Sequence, residues 1–341
     1  MSPQQSQYPA GGTSPARVNW YRTPLNPQTL ADLNSKSDAK GFVQTLGYLG
    51  LLLCTGSAAL YASGHWPIWT VLLLLFAHGT VASFAINGVH ELVHKSVFKS
   101  QWLNSVFVRV LSLISWVNFE HFYSSHMRHH QYTLHPPDDL EVVLPIRLMI
   151  RHFFLTGLIN IKGVFDVFKT TIRHARGGFE GEWEETLFPK DKPESGRGVI
   201  RWARIHLAVH FTILIFSIYF GWWLIPIVTS IAPFYGGWLF FLCNNTQHIG
   251  LQDNVPDFRL CCRTFTVNPV VRFLYWHMNY HIEHHMYAAV PCYNLGRLHR
   301  AILHDLPHCP DGISATWKEI AAIQKKQEED PEYQYAAQLP N

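Results

Sequence analysis

Charged side chains are scarce in this sequence: Asp, Glu, Lys and Arg make up 15% of 341 residues, against 48% hydrophobic. None occurs between Gly41 and Asn87, and none between Ile205 and Cys243. A helix of a soluble domain needs a polar face, so charge-free runs of this length exclude an ordinary cytosolic enzyme. An excess of one sign is lacking too. The 27 Lys and Arg against 24 Asp and Glu leave a net charge of +3, with no basic stripe or block, which gives no support to a nucleic-acid binder. Cysteine is sparse, at 54, 243, 261, 262, 292 and 309, and no CxxC pair occurs. Free thiols are expected rather than a disulfide framework. No basic start followed by an apolar run marks a secretory signal peptide, so the first apolar run is expected to do the targeting.

What the sequence does contain is apolar length. About 20 apolar residues cross the hydrocarbon core as a helix. Gly41–Ala62 and Trp66–Asn87 form one hairpin, separated by Ser63, Gly64 and His65. Ile205–Phe220 and Trp222–Cys243 form a second, broken by little more than Gly221. In lipid the backbone must bond within its own segment, so helices are predicted: four crossings in two hairpins. Neither hairpin tip carries Lys or Arg. The positive-inside rule then puts both termini and the central region on the cytoplasmic face. Trp102–Phe119 contains Arg109, and Leu144–Val167 contains Arg147, Arg151, Lys162 and Asp166. Charges at mid-span are costly, so both stretches are predicted to be helices lying in the interface. Residues 1–40, rich in Pro, Ser, Gln and Asn, read as a polar, partly disordered arm. Residues 41–310 read as the membrane domain and 311–341 as a polar C-terminal tail.

The 21 histidines are unevenly placed. His90 and His94 form HxxxH just after the second apolar run. His126, His129 and His130 form HxxHH; His281, His284 and His285 form it again; His248 follows the fourth run. On a helix, positions i, i+3 and i+4 share a face. With four crossings, all nine fall on one side of the membrane. Isolated histidines such as His78, His174, His206 and His210 read as satisfied core or surface residues; this is also the default for His121, His135 and His277, whose positions near the clusters leave a supporting role behind the ligands as the alternative. Nine at ligand spacing are different, because without a metal they would be a crowd of desolvated, mutually repelling groups. Imidazole suits zinc, copper, iron and nickel alike. Zinc takes three or four protein ligands; nine fill two sites with positions left open, which favours a dinuclear iron centre. One competing motif is His90-Glu91-Leu92-Val93-His94, which reads as the HExxH of zinc metalloproteases. That reading leaves seven of the nine histidines without a role. A metal store or sensor without catalysis is a further alternative.

HELVH, HMRHH and NYHIEHH, with apolar hairpins before the first and between the second and third, resemble the membrane fatty acid desaturase superfamily over roughly residues 41–305. The resemblance implies an all-α integral membrane protein with a cytoplasmic, histidine-rich di-iron cap. It also implies lipid metabolism, an endoplasmic-reticulum location in a eukaryote, and O2 as co-substrate. The implied iron ligands are His90, His94, His126, His129, His130, His248, His281, His284 and His285. Asn244 would act through water, with Asn245 and Gln247 as neighbouring alternatives. The third box begins with His281 rather than the Gln of front-end desaturases. No HPGG haem motif occurs, so a separate donor, cytochrome b5 with its reductase or a ferredoxin, would supply electrons. Glu91, Asp138, Asp139 and Glu283 are candidates to orient the rings. The implied reaction is a double bond introduced into an apolar, fatty acyl chain. Hydroxylases and ketolases acting on lipid, terpenoid or polyketide chains use the same boxes, and the outcome turns on substrate placement. Trp222, Trp223, Phe234, Tyr235 and Trp238 are candidate pocket residues.

Overall fold

A computed structural model describes residues 17–340; the part of the N-terminal arm before Arg17 lies outside them. The described residues are helical, with isolated bridges in place of sheets. Helix α1 (Pro27–Leu33) is short. Helix α2 (Asp38–His65) begins where the Ser37 side chain accepts from the Lys40 amide, with Asp38 in the first turn, an arrangement that caps free amides and suits the helix dipole. It stops at Pro67, whose ring cannot continue a helix, and the chain returns as α3 (Ile68–Ala82) and, after a two-residue break, α4 (Ala85–Val93). The two arms interlock through polar groups as well as packing: Tyr48 donates to the Val81 carbonyl (2.8 Å), and Thr55 bonds His78 (2.8 Å). His78 also meets the Val228 carbonyl at 2.8 Å, so it is a satisfied interior histidine.

Helices α5 (Gln101–Ser115) and α6 (Phe119–Tyr132) follow, bent by 103° where Trp116 takes a left-handed φ of 61°. The next stretch corrects an expectation. Leu144–Val167 is not one interfacial helix: α7 (Ile150–His152) runs into a π-helical turn (Phe153–Leu158), and α8 (Ile161–Ala175) starts afresh. The reason is local. The Asn160 side chain caps the Gly163 amide (2.8 Å), which begins a new helix instead of extending the old one. Helix α9 (Gly181–Leu187) precedes α10 (Arg197–Phe220), which starts eight residues before the expected span.

The fourth expected span is the larger correction. Trp222–Cys243 forms α11 (Leu224–Thr229), a 3-10 turn (Ala232–Phe234) and α12 (Trp238–Asn244) rather than one helix. Pro226 and Pro233 each remove an amide donor. Gly236 adopts φ 66°, with its α-carbon pressed so close to Phe76 that a Cβ would lie 2.4 Å from that carbonyl oxygen. The broken backbone is satisfied by protein: Gly236 donates to the Leu158 carbonyl (2.7 Å), Asn160 to the Phe234 carbonyl (2.7 Å), and the Thr80 hydroxyl to the Gly236 carbonyl (2.8 Å). Irregular backbone at membrane depth is tolerated under that condition. Among the described residues, three helices are long and apolar enough to cross a membrane: α2, α3 with α4, and α10. Their outward faces are apolar, with Trp69 77% and Tyr219 80% exposed.

This packing leaves no room at Gly79, where a Cβ would fall 2.2 Å from the Tyr235 carbonyl oxygen. Gly79→Ala is expected to lower stability by about 1–3 kcal/mol, read as a drop in thermal midpoint of the detergent-solubilised protein.

The C-terminal half carries α13 (Phe258–Cys261), α14 (Pro269–Leu274), α15 (His281–Met286), α16 (Cys292–Ile302) and α17 (Gly312–Glu329). Both terminal segments pack onto it. Trp20 stacks on Phe258 with centroids 4.0 Å apart, and Thr23 donates to Asp305 at 2.6 Å. On α17, Ile320 and Ile323 are buried, and Trp317 donates to the Leu242 carbonyl at 2.8 Å. These segments brace the loops and helices that hold the histidines.

Candidate metal centre

Each histidine box sits on a helix, as its spacing predicts. His90 lies in α4 and His94 caps that helix; His126, His129 and His130 lie on α6; His281, His284 and His285 lie on α15, which begins at His281 itself. His248 comes from the turn after α12. The imidazoles of His90, His94, His126, His130 and His284 form one group, their ligand atoms within 4.8 Å of one another. His248, His281 and His285 form a second group, together with the thiol of Cys262. The ring of His129 lies beside this second group, with centroids 5.3 Å from His248 and 5.0 Å from His285. The two groups touch through His130 and His285, 4.3 Å apart. All nine sequence-predicted histidines thus meet in one volume, and seven of them are buried.

The ring nitrogens are arranged with a consistent sense. Nδ1 of His129 donates to Asp139 (2.7 Å), Nδ1 of His126 to Glu141 (2.8 Å), and Nδ1 of His248 to the Cys261 carbonyl (2.8 Å). Thr133 gives its hydroxyl proton to the His129 carbonyl (2.7 Å), so its oxygen accepts from Nδ1 of His285 at 3.2 Å. Glu91 lies 3.3 Å from Nδ1 of His90 and 3.4 Å from Nδ1 of His284. In His90, His126, His129, His248 and His285, where Nδ1 is bonded, the Nε2 lone pair is the one left for the centre. Nε2 of His130 is 3.0 Å from Nε2 of His126 and 3.1 Å from that of His284; Nε2 of His281 is 3.0 Å from that of His248. A proton on His130 Nε2 would serve one neighbour and leave the other facing it unpaired. Nε2 of His94 and of His285 is buried with no hydrogen-bond partner. Leaving such groups unpaired is costly. A cation between them resolves every one of these contacts, so the residues fit a metal pair.

Their electrostatics agree. Burial, reinforced by neighbouring imidazoles, holds His94, His126, His130, His281, His284 and His285 well below the ordinary histidine pKa, and His248 is pulled down to about 3. They are neutral bases at physiological pH, the form that binds metal. His129 is the exception: burial opposes its charge, but the Asp139 carboxylate outweighs burial and raises its pKa.

Of the four carboxylates expected to orient rings, Glu91 and Asp139 do so. Asp138 pairs instead with Arg128 (3.0 Å), and Glu283 with His299 and Thr264. Glu141 was not anticipated. It follows Asp139 by two residues, and only the loop between Thr133 and Glu141, folded back over α6, brings it to His126. Cys262, one of the free thiols the sequence predicts, also reaches the second group. Burial and the Cys261 sulfur 3.9 Å away push its thiol pKa up, so it offers a neutral thiol. Asn244 is the half-buried last residue of α12. Of the proposed pocket aromatics, Phe234 helps line an apolar cavity of about 220 Å³ with Trp116, Phe168, Phe211 and Leu214. Trp222 and Trp223 are 57% and 65% exposed, the disposition of interface anchors.

Against known proteins, the family model described as fatty acid desaturase matches residues 40–316, a span that holds all nine histidines. No curated protein matches the chain.

Proposed function

The chain belongs to the fatty acid desaturase family and is an oxidoreductase of the membrane; from that premise we propose that it is a di-iron, O2-dependent desaturase that forms a double bond in an apolar, fatty acyl chain. The observation carrying this reading is the convergence of two adjoining histidine groups, within each of which bare Nε2 atoms face one another at 3.0–3.1 Å. His90, His94, His126, His130 and His284 would hold one iron. His129, His248, His281 and His285 would hold the other, with Asn244 contributing through water. When bound, the irons supply what side chains lack, activation of O2 for hydrogen removal from an unactivated carbon. The protein's share is to fix the rings of His129, His126, His90, His285 and His248 through Asp139, Glu141, Glu91, Thr133 and the Cys261 carbonyl, and to bury the set away from bulk water. Two electrons come from a separate cytochrome b5 or ferredoxin. With two protons from water they balance a reaction in which two neighbouring C–H bonds are broken, one C=C bond is gained and O2 leaves as two water molecules.

In the membrane, α2 and α3–α4 form the first hairpin, and α10 with the broken segment to α12 forms the second. The distribution of Lys and Arg supports cytoplasmic termini, and in a eukaryotic cell the reading places the protein in the endoplasmic reticulum. The apolar cavity at α8, α10 and α11 supports an apolar substrate. Oxygen insertion, as in hydroxylases and ketolases, is the second reading, since the same ligand set serves both. Expression in a host with its own reductase chain, followed by lipid profiling, separates them: products two hydrogens lighter mean desaturation, products one oxygen heavier mean insertion.

The HExxH protease reading requires Glu91 to act as a base on water. Instead its carboxylate is fully buried against two imidazoles. Glu91→Gln keeps an acceptor oxygen for those rings, so it is expected to retain iron and to lose no more than about 10-fold in oxidase turnover. Intact metal with a lost peptidase activity would establish the protease instead.

A further inference from the structure

A second, smaller constellation lies outside the nine histidines. His121 is on α6, His174 is near the end of α8, and Glu184 is in α9. Their ligand atoms lie within 4.8 Å of one another. The Glu184 carboxylate is split in its duties. Oε2 accepts from Arg173 Nη1 and from the Glu180 amide (2.8 Å). Oε1 faces both imidazoles, 2.9 Å from Nε2 of His174 and 3.8 Å from Nε2 of His121, while also accepting from Arg173 Nη2 at 2.9 Å. The two rings are stacked, with centroids 5.4 Å apart. A hydrogen-bonded cluster of His174, Arg173 and Glu184 accounts for everything here except His121. Nε2 of His121 is buried and has no hydrogen-bond partner, although it points at the same carboxylate oxygen.

We propose that His121, His174 and Glu184 bind one zinc ion, separate from the di-iron centre, that ties α8 and α9 to α6. Two imidazoles and a carboxylate are a three-ligand zinc set with a fourth position for water. Oxygen donors are too few for calcium or magnesium. Arg173 and the Glu180 amide play the part of outer partners that hold a ligating carboxylate in place. His121 lies five residues before His126, about 7.5 Å along the axis at 1.5 Å per residue. A cation here therefore fixes the helix that carries the second histidine box without entering the reaction. The three ligands come from separate helices, so zinc closes the loop through Arg176 to Glu180 against the cap.

The test uses the full-length, iron-loaded protein in detergent, equilibrated with zinc, dialysed and analysed for both metals. One zinc per chain in addition to iron is expected, and in Glu184→Gln and His121→Asn zinc falls at least ten-fold while iron is unchanged. His121→Asn guards against misfolding, since the side chain of His121 is partly exposed and Asn keeps a polar atom there. Cobalt loaded in place of zinc should show the visible bands of a tetrahedral ion in wild type and lose them in both variants. Zinc below a tenth of an equivalent in wild type, or zinc retained in both variants, would overturn the site. Preferential retention of copper or nickel would overturn the choice of cation. None of these readouts depends on desaturase activity, so failure here leaves the di-iron reading intact.

Discussion

His284→Ala is expected to reduce turnover to background and to remove about half of the bound iron. His284 is fully buried, and it is the one residue of the third box in the first histidine group. Its ring centroid lies 4.6 Å from His90 and 4.8 Å from both His94 and His130, and its Nε2 faces His130 at 3.1 Å. Removing a partner that merely orients a ligand costs about 10–100-fold in metal affinity or activity; removing the ligand itself should exceed that range. The change also leaves Glu91 against His90 alone. Iron analysis with a turnover assay on the purified variant checks the expectation, and His304→Ala, at an exposed position away from both groups, is the control that should lose neither. Full turnover in His284→Ala would contradict the ligand assignment.

The second large effect is expected at a residue that touches no metal. Asp139 is completely buried, and its Oδ2 accepts from Nδ1 of His129 (2.7 Å) and from the Leu134 amide (2.8 Å), while Oδ1 accepts from the Glu141 amide (2.9 Å). It therefore sets the tautomer of His129 and also closes the loop that delivers Glu141 to His126. In Asp139→Ala the His129 ring loses its orientation, the Leu134 amide loses its acceptor, and the carboxylate that raises the His129 pKa disappears. About 10–100-fold weaker iron retention is expected, read by competition with a chelator, and falling first on the group that contains His129. Asp138→Asn removes the adjacent carboxylate, which pairs with Arg128 and meets no ring. It should leave retention unchanged, which separates a specific role from a general loss of negative charge.

The meeting of the histidine boxes was legible because helical spacing is short-range information: HxxxH and HxxHH place their rings on one face wherever the helix goes. What the sequence did not disclose is long-range or lies in how a helix is interrupted. Pro226, Pro233 and Gly236-Gly237 lie inside the fourth apolar run, and the run breaks there because its freed backbone groups find partners at Leu158, Asn160 and Thr80. The Asn160 cap that divides the stretch before α8 is one residue in an otherwise periodic pattern. Glu141 and Cys262 reach the histidines through loops whose course no spacing rule gives. His121, His174 and Glu184 are dispersed singletons in sequence, and each alone reads as an ordinary polar residue. Their meeting depends on α6, α8 and α9 packing together.

The convergence of nine imidazoles on two metal ions is tested most directly by combining iron quantification with iron-edge X-ray absorption on the purified wild-type protein. Two irons per chain are expected, each surrounded by nitrogen and oxygen donors with the multiple-scattering signature of imidazole. A single metal per chain, zinc in place of iron in the histidine groups, or a first shell without imidazole would contradict the account.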